Sequence, residues 1–197
     1  MTQQPGFPAV VERGTHIGDA IAVGSWPFEL VYIGTQRCPC GGRFRPLALS
    51  LEHRGEKVYE RQKTVCEDCE RSRAFWFDIG SFHGDPEASL RFEEFQTVFE
   101  SALAALRDDD LPGAQVQFEE LVAREPWFGL AHFHLGMIAL MQEDLGPARE
   151  HLETAVGLMP MDGSIHQGLS QLWALLGEEQ RAVRAAWLSM VLEDEAE

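Results

Sequence analysis

Apolar and polar positions alternate along Leu47-Ala48-Leu49-Ser50-Leu51-Glu52-His53, break at Arg54-Gly55-Glu56-Lys57, and run on through Val58 to Val65. A period of two on both sides of a glycine turn predicts a β-hairpin. Ala74 to Ile79, with three consecutive aromatics, predicts a third strand, and Phe28-Glu29-Leu30-Val31-Tyr32-Ile33 reads as a strand entering the same sheet. Gly14 to Ala22 fits a short helix or a loop. Trp26 and Phe28, with Phe75, Trp76 and Phe77, are expected to back this sheet. Beyond Gly84-Asp85-Pro86 the pattern changes to paired segments with helical periodicity, rich in Ala, Leu, Glu and Gln. The expected organisation is residues 1–84 as an arm plus a small β domain and residues 85–197 as a helical domain, an α+β chain overall.

Cysteines bracket the hairpin. Cys38-Pro39-Cys40-Gly41-Gly42 precedes it, and Cys66-Glu67-Asp68-Cys69 follows it. Two close pairs on separate turns can bring four sulfurs around one Zn²⁺, and the glycines give backbone amides room to approach the thiolates. From Thr35 to Ile79 the arrangement resembles a zinc-ribbon domain, although its first turn is C-x-C, one residue shorter than the usual C-x-x-C. Cys38, Cys40, Cys66 and Cys69 are the candidate ligands. Four thiolates fill a tetrahedral sphere and leave no open position for water, so the expected zinc is structural. Disulfides belong mainly to secreted chains, and Met1 to Val11 has neither the basic start nor the apolar core of a secretory signal. A cytoplasmic address is expected.

The helical part repeats. Asp110-Leu111-Pro112-Gly113-Ala114 and Asp144-Leu145-Gly146-Pro147-Ala148 lie 34 residues apart, Glu178 to Ala182 comes 34 later, and Pro126 and Pro160 keep the same interval. Three units, 95–128, 129–162 and 163–196, carry small residues such as Ala102, Gly136 and Ala148 where paired helices must approach. Phe118, Leu135, Leu152 and Trp173 stand where large residues fill the space. This region resembles the tetratricopeptide repeat, and Glu193 to Glu197 is expected to form an acidic cap on its exposed end. The resemblance implies a three-repeat solenoid whose first helices line a concave groove. It places Phe99 and Leu103 there from the first unit, and Leu130, Phe133, Met137 and Met141 from the second. Repeats that clamp a C-terminal carboxylate need basic groove residues, and no lysine follows Lys63. An apolar, Met-containing groove suits a protein partner presenting an amphipathic helix or an extended apolar segment. The chain's own N-terminal part is the alternative cover for these side chains.

Charge sharpens the division. Up to Arg91 there are 11 basic and 12 acidic residues, and after it 5 and 20, within a net charge of -16. That acidity argues against nucleic acid and anionic membranes as partners of the whole chain, and the basic residues of the ribbon are interleaved with acidic ones. Every apolar run is interrupted by Arg, Glu, Asp or Gln before it reaches the length of a membrane span. His132 and His166 are one repeat apart, which points to repeat packing, and no H-E-x-x-H, G-x-S-x-G, P-loop or dinucleotide motif occurs. The expectation is a non-enzymatic adaptor, scaffold or chaperone with a structural zinc site. Its alternatives are a secretion-type chaperone for an apolar export substrate, and a nucleic-acid-associated regulator acting through the ribbon.

Overall fold

The computed structural model describes residues 13–194, with side chains to Leu192, so the terminal acidic cap lies largely outside the described residues. Compactness divides the chain between Phe128 and Gly129 into Glu12–Phe128 and Gly129–Glu197, and the composition break near Gly84 falls inside the first unit. The architecture is α+β: a small four-stranded sheet with one helix ahead of its hairpin, then six helices. No helix among the described residues is long and apolar enough to cross a membrane.

In the first unit, a 3-10 turn at Ile17–Asp19 leads to β1 (Ile21–Ala22) and α1 (Trp26–Thr35). The hairpin is β2 (Phe44–Arg54) and β3 (Lys57–Cys66), followed by β4 (Ser72–Asp78). The sheet order is β1-β4-β3-β2, antiparallel except for the short parallel pair β1-β4. Gly55 turns the hairpin with φ of +62°, a conformation that costs most residues energy.

The segment read from its β-forming residues as a strand, Phe28 to Ile33, is helical. Ser25 stands at the N-cap position in extended conformation and Pro27 sits in the first turn, where its missing N–H costs no hydrogen bond. One face of the helix, with Phe28, Glu29, Tyr32 and Ile33, is buried. Tyr32 lies edge-on to Phe75 at 6.0 Å and Phe77 at 5.8 Å, so α1 covers the sheet face that carries those two rings. Trp76 points from the other face, with the Arg61 guanidinium 5.6 Å over its ring, and is not part of that backing. Trp26 stays 49% exposed beside Phe82.

The same unit holds α2 (Ala88–Arg107) and α3 (Leu111–Arg124). Phe28 of α1 packs against α2 and the segment after α3, because its ring meets Phe95 at 4.7 Å, Phe92 at 5.2 Å and Trp127 at 5.8 Å. The Glu125 carboxylate accepts hydrogen bonds from the Gly24 backbone N–H at 2.9 Å and the Trp127 indole N–H at 2.6 Å.

The second unit is α4 (Gly129–Met141), α5 (Leu145–Leu158), α6 (Gly163–Leu175) and α7 (Glu179–Asp194), in which α4 packs on α5, α5 on α6 and α6 on α7. A Cβ on Gly136 would lie 2.6 Å from Leu152 Cγ, so only glycine lets α4 and α5 approach this closely.

Across both units the hairpin turns are built alike. Asp109, Glu143 and Gly177, each 34 residues from the next, take left-handed φ of 60°, 59° and 74°. The following N–H donates five residues back in each case: Asp110 to the Ala105 carbonyl, Asp144 to Ala139, and Glu178 to Trp173. The left-handed residues donate to Leu106, Leu140 and Ala174. These are Schellman caps, which satisfy carbonyls that a helix end leaves without partners. The helical region is thus a repeat of one structural unit.

Candidate metal centre and helical face

The two cysteine turns meet at the end of the hairpin. Cys38 N–H donates to the Gly42 carbonyl at 2.9 Å, and Gly41 N–H donates back to Cys38 at 2.8 Å. Cys66 N–H donates to Arg71 at 2.9 Å, and Glu70, with φ of 57°, donates to Cys66 at 3.1 Å. A Cβ on Gly42 would stand 2.6 Å from Cys66 Sγ, so the second glycine of the first turn makes way for a sulfur.

All four Sγ atoms lie within 4.8 Å of one another. Cys38 and Cys69 are separated by 3.5 Å, Cys40 and Cys66 by 3.5 Å, and Cys40 and Cys69 by 3.3 Å. These gaps exceed a disulfide bond of about 2.05 Å and approach the ~3.8 Å edge of a tetrahedron with 2.3 Å metal–sulfur bonds. Burial pushes the Cys38 thiol up to about 12, whereas the Arg71 backbone N–H pulls Cys69 down to about 7. A divalent cation would reverse the first effect, since coordination deprotonates a thiol outright. The donor set fits a thiolate-bound metal ion, and the cluster can hold one.

Beneath α1 lies a feature the sequence analysis missed. The Gln62 amide donates to Glu29 Oε2 at 3.2 Å and also to Glu60, all three side chains being buried between helix and sheet. Glu29 Oε1 is buried with no hydrogen-bond partner. Burial first, then the neighbouring Glu60, pushes the Glu29 carboxyl up to about 9. Reading residues 28–33 as a strand concealed this, because only a helix turns Glu29 onto the face it shares with Phe28 and Tyr32.

Glu29 binds its proton more tightly folded than unfolded, so its contribution is whole below about 4.5 and is lost as pH rises towards about 9. Over that window one such group costs about 1.4 kcal/mol per pH unit. Glu125, pushed up to about 7 by burial, adds the same trend between about 4.5 and about 7. The melting temperature of the first unit is therefore expected to fall from pH 5 to pH 9, and Glu29→Gln to flatten most of the fall above pH 7. An unchanged slope in that variant, followed by calorimetry, would show that Glu29 is ionised in the fold.

The residues expected at a groove fall in both units. In the first, Phe99 is half-buried, edge-on to Phe128 at 5.2 Å and Phe118 at 6.2 Å, and Leu103 is half-buried on the same helix. In the second, α4 contains no charged residue. Leu130, Phe133 and Met137 on this helix are half-buried, and Met141 is 63% exposed. Met137 Sδ occupies space that a Cβ on Gly168 would enter, which brings α4 against α6. Beside it, Ser164, Gln167, Gln171 and Leu175 of α6 are exposed. An apolar face bordered by serine and glutamines results.

Three histidines of the second unit make short polar contacts. His166 is buried and donates from Nε2 to the Pro160 carbonyl at 2.8 Å, with desolvation favouring its neutral form. His132 and His151 approach Nδ1 to Nδ1 at 3.1 Å, so one of the two rings carries a proton there.

No family model matches the sequence, and no curated protein does. Among solved structures, a chain from one titled "CopN-Scc3 complex" is 23% identical, with a TM-score of 0.47. The match covers 51% of this chain and 59% of that one. That is too distant a likeness to transfer a function.

Proposed function

We propose that this protein is a non-enzymatic cytoplasmic adaptor, scaffold or chaperone that holds a protein partner on tetratricopeptide-type helical hairpins. Zinc held by Cys38, Cys40, Cys66 and Cys69 stabilises its sheet. The observation that carries this reading is the α4 face: Leu130, Phe133, Met137 and Met141 follow one another at helical spacing, and all retain solvent exposure. A soluble helix usually turns polar residues to water, so an apolar face open to it calls for a cover. Flexible methionines adapt to varied apolar surfaces, which suits an amphipathic helix or an extended apolar segment. The recurrent 34-residue turn supports the repeat type, and the sulfur separations support a tetrahedral metal.

Partners recovered with the full chain should be lost or weakened with Phe133→Ala and Met137→Ala. Truncating an anchor costs about 2 kcal/mol or more, roughly a thirtyfold rise in Kd. Unchanged Kd in both folded variants would refute the groove as the binding surface. A stability loss of several kcal/mol in either would identify its side chain as internal packing instead.

A further inference from the structure

The outer edge of β2 is an open strand edge, since β2 ends the sheet order and no strand among the described residues pairs beyond it. Its centre is apolar. Leu47 is 48% exposed, Leu49 61% and Leu51 46%, and no charged residue lies between Arg45 and Glu52. Leu49 is in register with Gln62, itself opposite Phe75, and Leu51 with Glu60, opposite Phe77. These two leucines therefore extend the buried face of the sheet, but α1 packs over the rings of β4 and leaves the rim uncovered.

Edge strands are normally blunted by lysine, proline, a bulge or a charge turned inward. Here the register irregularity between Pro46 and Ala48 guards only one end, and Glu52 begins the charged stretch at the other. The five residues Leu47 to Leu51 carry leucine at every second position, with the small residues Ala48 and Ser50 between, so their order of large and small side chains is the same in both directions. An antiparallel two-fold axis through Leu49 sets Leu49 against Leu49 of a second copy and Ala48 against Ser50, with Leu47, inside the register irregularity, at the end of that ladder. No like charges meet along those five residues, and the small pair lets the backbones close to ladder distance. A self-complementary patch of this kind is what an isologous contact requires.

We propose that two copies of this chain pair through β2 about that axis, joining their sheets into one of eight strands with Leu49 and Leu51 of both copies, four leucines, clustered on one face. A contact this short belongs to the small end of protein interfaces, so the dimer should be weak and concentration-dependent.

The test is sedimentation equilibrium of the full chain from about 1 µM to about 1 mM, with amide exchange measured at both ends of that range. The expected result is a monomer–dimer equilibrium in which protection of residues 47–51 rises with concentration. Leu49→Lys should remain monomeric throughout with an unchanged circular dichroism spectrum, because this side chain is mostly in water in the monomer. Should Leu49→Lys fail to fold, Leu51→Lys carries the same test. A wild type that is monomeric over the whole range would overturn the proposal. So would a dimer that survives the lysine variant, or one whose added protection lies elsewhere.

Discussion

On the proposed zinc assignment, replacing Cys66 by serine is expected to abolish metal binding and unfold the sheet of the first unit. Cys66 is buried, stands 3.5 Å from Cys40, and its turn is closed by hydrogen bonds to Arg71 and Glu70. A structural zinc ion contributes about 10–16 kcal/mol to a small domain, more than most domains have in reserve. A hydroxyl cannot replace a thiolate in that sphere, and the three remaining sulfurs would be left crowded without their cation. Elemental analysis should fall from one zinc per chain to near zero, and amide protection along β2, β3 and β4 should collapse. The α4–α7 helices, in a separate compact unit, should keep theirs. Wild-type protein purified without chelator and carrying far less than one zinc would refute the assignment.

Phe28→Ala is expected to cost about 3–5 kcal/mol, the range for deleting a buried aromatic. The side chain is 2% exposed and touches rings from α2 and from the segment after α3. Its loss opens a cavity where α1, α2 and Trp127 converge, so neither the sheet nor the α2–α3 hairpin should escape. Urea unfolding followed by tryptophan fluorescence should show the first unit's transition moving to lower denaturant, with Phe28→Leu recovering part of the shift. A cost below about 1 kcal/mol would show that Phe28 does not bind these elements together.

The parts of this architecture that were legible in the sequence are those that short spacings encode. Period-two alternation around Gly55 located the hairpin, the paired cysteines located their cluster, and the 34-residue interval located the turns at Asp109, Glu143 and Gly177. What escaped depends on long-range contacts. Phe-Glu-Leu-Val-Tyr-Ile is composed of good strand formers, and only the sheet beneath makes its helical face the better one to bury. Phe28 was expected behind the sheet alone, yet it also meets Phe92 and Phe95, some 65 residues further along. The leucines of β2 show regular alternation, but alternation does not reveal which strand ends the sheet. Of the groove residues, Met141 is open to water whereas Phe99 is held between two rings, a difference that the repeat pattern does not encode.

The recurrence of one left-handed cap at 34-residue intervals bears on how such a chain lengthens or shortens through descent. A helix turns about 100° per residue, so inserting one or two residues within a helix swings every later side chain off its face. Duplication or loss of a whole interval keeps each turn, each buried alanine and each outward face in phase. Changes of chain length in this region should therefore be tolerated in whole repeats, while the helices themselves vary by substitution.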